Sequence, residues 1–410
     1  MLFLVSIITY LDRICIAVAA PRMADELGMS PTQVGYVFSV FVLAYGLFEI
    51  PGGWMGDRFG PRLILTRIVV WWSAFTALTG AVSSYAILLG CRFLFGMGEA
   101  GAYPNCSATI ARWFPFKERA RAHGVVWTAS RIGAALSPAI VVPLQARLGW
   151  RPVFFLFGGI GVVWAVAWYV WFRDDPREKE GVSPEELEEI GPSRGAHVNL
   201  SWKVALKSGN LWAVMGMYHA FCYGSYWFFS WMPTYLVKGR GVTGLGLATW
   251  ASLLYIMGAL ANMAGGYTSD RMITKIGLKW GRRVVGLGAM LAAGTFMLVS
   301  IAVENQTVAI AALALSFAVS DFMLPNCWAT CLDIGKRYAG TVTGSMNMAG
   351  QMGSTIAAAA YGGMVEKYGW NLPLAGVAAL SFVSALLWLK IDATEPLVPE
   401  ELPPVEARAA

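Results

Sequence analysis

Long apolar runs alternate with short polar loops along the whole chain. Crossing a bilayer as a helix takes about 20 mostly apolar residues. Twelve runs satisfy this, at approximately 2–20, 33–54, 63–80, 84–110, 121–145, 150–172, 210–236, 246–268, 284–302, 308–332, 341–363 and 371–391. The largest break runs from Arg173 to Lys207 and contains Asp174-Asp175-Pro176 and Glu185-Glu186-Leu187-Glu188-Glu189. Ser183-Pro184-Glu185-Glu186 has the form of a helix start, which predicts a short amphipathic surface helix there. The expected architecture is an all-α integral membrane protein. It has twelve transmembrane helices in two pseudo-symmetric six-helix bundles, over 1–172 and 210–392. A cytoplasmic linker over 173–209 joins them, and a cytoplasmic tail occupies 393–410.

The two halves repeat each other. Gly52-Gly53-Trp54-Met55-Gly56-Asp57-Arg58 recurs as Gly265-Gly266-Tyr267-Thr268-Ser269-Asp270-Arg271, and Pro104-Asn105-Cys106 recurs as Pro325-Asn326-Cys327. Gly124, Gly133 and Gly149-Trp150 have counterparts at constant offset in Gly344, Gly353 and Gly369-Trp370. Parallel six-helix repeats build carriers whose site lies at mid-membrane between the halves.

Composition agrees: 57% of residues are hydrophobic and 14% charged, too few charges to cover a soluble protein of 410 residues. The net charge of +6 does not point to nucleic acid, because the Lys and Arg sit in short loops between apolar runs. They favour alternate loops by roughly three to one. By the positive-inside rule that set and both termini are cytoplasmic, in a multi-pass protein of the cell (inner) membrane. The opening Met1-Leu2-Phe3-Leu4 run carries Asp12 and Arg13 and reads as a first span, not a signal peptide. The six cysteines fall in apolar runs and read as small buried hydrophobes. No metal-ligand cluster, nucleophile–base grouping or nucleotide loop is legible, so no cofactor, metal or enzymatic activity is expected.

Gly53-Trp54-Met55-Gly56-Asp57-Arg58-Phe59-Gly60-Pro61-Arg62 resembles the signature loop of the major facilitator superfamily. More narrowly, the chain is similar to the anion:cation symporter family, which includes bacterial galactonate, glucarate and hexuronate carriers and relatives of sialin. The resemblance lies in Tyr10-Leu11-Asp12-Arg13, Gly98-Glu99-Ala100, Pro104-Asn105, Arg112-Trp113-Phe114-Pro115, Trp227-Phe228-Phe229-Ser230-Trp231-Met232-Pro233 and Gly344-Ser345-Met346-Asn347. It implies the major facilitator fold and a monomeric, proton-coupled symporter. The cargo would be a small organic anion such as an aldonate, uronate or aldarate, imported by alternating access. An exporter or antiporter of the same fold and a transport-inactive sensor are the competing readings. Ser137-Pro138-Ala139-Ile140 lacks the late Gly-Pro and Gly pair that exporters carry.

Intramembrane charges are the candidate chemistry, since each costs about 2.5–3.5 kcal/mol to insert. Arg13 is expected to face the central cavity and bind a substrate carboxylate, for which its planar fork is suited. Asp12, about 100° round the helix, would face a neighbouring helix. A structural ion pair is the alternative for both. Arg92, Gly96, Glu99 and Tyr103 share one face of a continuous fourth helix, with Arg92 too far along it to neutralise Glu99. A Glu left without an adjacent cation tends to protonate. The resemblance implies that Asp12 and Glu99 are the proton-coupling pair. Arg131 is either a second cation for substrate, suiting a dicarboxylate, or a partner of Asp12, Glu49 or Glu99. Glu49, one turn after the candidate site residue Tyr45, is expected to pair with a nearby Arg.

Thr343, Asn347 and Gln351 form a polar stripe, and Asp321, Pro325 and Trp328 share a face. The resemblance gives Asn347 and Trp328 contacts to sugar hydroxyls and the sugar face, while bonding between helices is the alternative. Asp321 carries no assignment, and His219 reads as a packed side chain. The loop residues Asp57 and Arg58, with Asp270 and Arg271, read as either a topology-setting cluster or a gate. In the second case Asp57 would accept hydrogen bonds from a helix N-terminus or pair with a nearby Arg.

Overall fold

A computed structural model describes residues 1–191, 202–232, 235–242 and 244–398, so parts of the predicted linker and tail lie outside the described residues. The first bundle comprises α1 (Leu2–Leu27), α2 (Pro31–Phe59), α3 (Pro61–Thr79), α4 (Tyr85–Glu99), α5 (Ala102–Trp113), α6 (Arg119–Leu148) and α7 (Trp150–Trp171). The linker carries α8 (Pro184–Ile190), begun by Ser183 accepting from Glu186 N, and α9 (Trp202–Ala205). The second bundle comprises α10 (Gly209–Ser230), α11 (Gly244–Ile276), α12 (Leu278–Ala302), α13 (Gln306–Gly335), α14 (Ala339–Tyr368) and α15 (Asn371–Trp388).

Twelve spans result, because α4 and α5 are two halves of the fourth. The sequence pattern predicts that span as one helix; the structure breaks it at Gly101, whose φ of 83° is left-handed. Only glycine reaches that conformation without strain. The break lets the backbone meet α2, where a Cβ on Gly52 would lie 2.7 Å from Gly101 Cα. Asn105 closes the junction by donating to the carbonyls of Gly52 (3.0 Å) and Gly101 (2.7 Å).

The bundles meet through two antiparallel helix pairs related by the sequence repeat. In one, α2 lies on α14, with Gly344 against the Glu49 carbonyl and Gly46 against Gln351. In the other, α6 lies on α11, with Gly124 against the Asn262 carbonyl and Thr128 Oγ1 donating to Ala259 O at 3.1 Å. Small residues allow this approach, as is usual between membrane helices. These contacts run to the end of the molecule that carries the loops after α2 and α11, hereafter the loop-motif end.

The linker is tied to that end. Asp174 Oδ1 accepts the Arg62 N–H in the first turn of α3 at 3.0 Å, and Trp113 Nε1 donates to Arg173 O at 2.9 Å. Beyond α15 the chain folds back, with an ion pair between Lys279 and Asp392 and with Leu397 N donating to Ile334 O.

Candidate functional site

Between the bundles lies a cavity of ≈ 260 Å³, to which α1, α2, α5, α6, α10, α13 and α14 all contribute. Tyr10, Arg13, Tyr45, Tyr103, Arg131 and Asn347 are among the residues lining it, joined by Tyr226 and Gln351. Arg13 therefore faces the cavity, where its guanidinium lies over the Tyr45 ring at 4.6 Å and near Phe41 and Tyr10 at 5.4 and 5.7 Å. An arginine held among aromatic faces and only 22% exposed is preoriented for a planar anion.

Its counter-ion is Glu99. Arg13 Nε lies 2.6 Å from Glu99 Oε1, with Glu99 1% exposed behind it. The expectation of a Glu99 without an adjacent cation is thus corrected: the cation comes from α1, across the bundle, and spacing along α4 could not reveal it. Arg13 Nη2 and Glu99 Oε2 remain buried and without hydrogen-bond partners among the described residues. Asp12 is buried inside the first bundle, beside the Trp72 indole and within electrostatic reach of Glu99 and Arg92. Arg92 sits over the Phe41 and Phe95 rings at 4.6 and 4.7 Å. Tyr103, now beyond the Gly101 break, stacks on Trp127 at 4.7 Å and shares a hydrogen bond with Ser130.

Arg131 pairs with none of the three carboxylates expected from sequence. It forms a two-bonded ion pair with Asp321 of the other bundle, Nε to Oδ2 at 2.8 Å and Nη2 to Oδ1 at 2.7 Å. Glu49 likewise takes no Arg among the hydrogen bonds and ion pairs of the described residues. Its Oε1 accepts from Asn347 Nδ2 of the opposite bundle at 2.7 Å. The burial of this carboxylate is offset by the Asn347 amide and the Tyr45 hydroxyl, with Arg13 acting at longer range and not as an ion-pair partner. Trp328 is also corrected. It is fully buried against Tyr103, Trp127, His123 and Tyr218, beneath the cavity and not on its wall. A tryptophan can share a helix face with a cavity residue and still be covered by the aromatic side chains around it. His219 is packed, with Nδ1 2.9 Å from Ala349 O.

The loop aspartates close the loop-motif end. Asp57 accepts from Gly340 N (2.8 Å), Thr341 N (2.6 Å) and Thr341 Oγ1 (2.6 Å), in the first turn of α14. Asp270 accepts from Ala120 N (3.2 Å) and Arg121 N (2.7 Å), in the first turn of α6. The first N–H groups of a helix have no partner within it and carry partial positive charge, so a carboxylate from the facing bundle satisfies both requirements. Arg119 adds a third crossing, with Nη1 3.0 Å from Asp333 Oδ1; Asp333 also receives Arg282 Nε at 3.0 Å. Arg282, not Arg271, is the cation beside Asp270, at 3.4 Å. Arg271 is exposed and donates to Tyr267 OH of its own helix, because one helical step turns it away from the interface. Arg58 lies over the Trp54 and Phe59 rings.

A family model described as Major Facilitator Superfamily matches residues 2–358. The chain is 33% identical over 394 residues to a probable sulfoacetate transporter, SauU, of Cupriavidus necator, covering 94% of this chain and 91% of that one. It is 31% identical over 421 residues to the probable galactarate/D-glucarate transporter GudP of Escherichia coli K12, covering 96% and 92%. With the hexuronate transporter of Bacillus subtilis it shares 30% over 372 residues, covering 90% and 87%. Among solved structures, the human organic anion transporter MFSD10 aligns at TM-score 0.71 and 15% identity over 94% of this chain and 97% of that one. The Escherichia coli fucose:proton symporter FucP aligns at TM-score 0.71 and 14% identity over 95% and 97%. At such identities these two likenesses concern the fold.

Proposed function

The chain belongs to the major facilitator superfamily and, within it, to the anion:cation symporter family; from that premise we propose that it imports a small organic anion together with protons. Sugar acids and short sulfonated acids are the cargo classes that its relatives suggest. The proposed setting is the inner membrane, with the loop-motif end and both termini cytoplasmic and the protein acting as a monomer. The relatives are named as transporters, and no catalytic role is assigned.

The observation that carries this reading is the Arg13–Glu99 pair. Arg13 is a cation of the cavity wall, and its Nε is occupied by a carboxylate that shares a low-dielectric pocket with Asp12. An incoming anion competes with Glu99 for Arg13. A carboxylate released from its cation in such surroundings takes up a proton. Substrate binding and protonation thereby favour each other, which is the requirement for symport. Charge favours the same scheme: one anionic charge entering an inside-negative cell costs about 2.3 kcal/mol per 100 mV, and each accompanying proton cancels one such cost.

Alternating access then uses the loop-motif end as one gate. The hydrogen bonds of Asp57 and Asp270 join the bundles there, and their rupture opens the cavity to that side. Proteoliposomes provide the test, with labelled gluconate, glucarate, galactonate or sulfoacetate outside and an acid-outside proton gradient. Uphill accumulation that a protonophore abolishes is expected. Accumulation only with the gradient reversed would establish the exporter instead, and no proton-linked movement in either direction would refute coupling.

A further inference from the structure

Arg131 and Asp321 are a buried ion pair with one member in each bundle, and Arg131 lines the same cavity as Arg13. The guanidinium edge formed by Nε and Nη2 fits one planar anionic group, and the Asp321 carboxylate fills it. Arg13 is in a comparable condition, with Glu99 on its Nε. Both cavity-lining arginines therefore hold an internal counter-anion.

A pair that merely stiffened the interface would be an expensive device, since buried ion pairs seldom out-stabilise apolar packing of similar volume. Its surroundings fit exchange better. Asp321 has a second donor, Asn262 Nδ2 at 3.2 Å, which remains with it when Arg131 lets go. Asn262 is itself steadied by its bond to Gly258 O at 2.9 Å. Arg131 is independently held over the rings of Phe229 and Phe317, at 5.1 and 5.8 Å, and so stays at the cavity without Asp321.

We infer that Asp321 is the exchangeable occupant of a second anion site centred on Arg131, so that the cavity selects small dianions. One anionic group of the ligand sits on Arg13 and the other, a carboxylate or sulfonate, replaces Asp321 on Arg131. Tyr10 lines the cavity with both cations, in contact with Arg13 and within electrostatic reach of Arg131. The cavity of ≈ 260 Å³ falls below the about 300–1,000 Å³ of sites for drug-sized ligands, which limits the dianion to a short one. The bound ligand bridges the bundles where the protein's own ion pair bridged them before. This inference rests on the anion-carrier reading and assigns its substrate class.

The test measures binding to the purified full-length protein by isothermal titration. It uses two matched pairs, glucarate against gluconate and sulfoacetate against acetate, each differing in one anionic group. The wild type is expected to prefer the dianion of at least one pair by about tenfold or more, the worth of one added charged hydrogen-bonded contact. The double variant Arg131→Gln/Asp321→Asn, which leaves no lone buried charge, is expected to lose that preference, the dianion and monoanion of each pair then binding within about twofold of each other. Asp321→Asn alone is expected to tighten dianion binding, because the competitor no longer carries charge. A double variant that retains the preference, or a wild type that binds monoanions as tightly as dianions, overturns the dianion site and leaves the anion carrier standing. A wild type that binds none of the four probes overturns both.

Discussion

Arg13 and Glu99 stand 2.6 Å apart although 86 positions separate them in the chain, and only the cation of the two reaches the cavity. Substrate therefore meets the carboxylate only through the arginine. Replacing Glu99 by Gln frees the Arg13 guanidinium without removing it. The expected outcome is binding at least as tight as in the wild type and retained substrate exchange, with loss of uphill uptake driven by a proton gradient. Arg13→Ala instead removes the anion's partner and abolishes binding. Counterflow and gradient-driven uptake in the same proteoliposome preparation check both. Retained accumulation in Glu99→Gln would show that the coupling proton lies elsewhere.

Much of this was legible in the sequence. The twelve apolar runs, the repeated Gly-rich loops and the polar residues inside spans indicate the fold and, of the cavity's lining, Arg13, Tyr45, Arg131 and Asn347 before any coordinates. What spacing along one helix cannot supply is a partner from another helix. Glu99 acquires its cation from α1, Glu49 its amide from α14, and Arg131 its carboxylate from α13. One of these had a readable signal: Arg131 and Asp321 are opposite charges stranded in spans of different halves, and such charges tend to find each other in a low-dielectric interior. The break at Gly101 was hidden because an Ala-Gly step inside an apolar run does not by itself stop a helix.

Trp328 offers a test of where the cavity ends. Its ring is enclosed by Tyr103, Trp127, His123 and Tyr218, with its indole N–H 3.3 Å from Tyr218 OH. Trp328→Ala is expected to destabilise the protein by about 3–5 kcal/mol, as truncation of a buried aromatic does. Ligand affinity of the folded fraction should move by less than about threefold. Thermal unfolding and isothermal titration on one preparation separate the two effects. Unchanged stability with lost affinity would place Trp328 on the ligand instead.

Asp57 and Asp270 hold the same end of the molecule from opposite bundles, each on the first turn of the other bundle's helix. Hydrogen bonds to a charged group are worth about 1.5–3 kcal/mol each. Asp57→Asn weakens three of them, and the population open at the loop-motif end is expected to rise at least about tenfold. Asp270→Asn should act in the same direction, and the double variant more strongly than either. Spin labels at positions 59 and 276, in a background lacking the native cysteines, would report the separation of the two bundles. An unchanged distance distribution in the double variant would return both aspartates to a purely topological role.

Gly344 argues the same closure from shape instead of charge. A Cβ at this position would stand 2.7 Å from the Glu49 carbonyl oxygen, and at its repeat counterpart Gly124 one would stand 2.8 Å from the Asn262 carbonyl oxygen. In both cases the obstacle is backbone in the other bundle, which cannot turn aside as a flexible side chain can. Gly344→Val therefore wedges α14 from α2 while leaving every hydrogen bond of Asp57 chemically possible. The closed interface should be disfavoured and the state open at the loop-motif end enriched, with little change inside either bundle. Because closure of this end is required in each cycle, transport is expected to fall at least about tenfold. The distance between spin labels at positions 59 and 276 should lengthen in this variant as it does in the aspartate variants. If Gly344→Val transports normally and that distance is unchanged, the contact between α2 and α14 is not a moving gate.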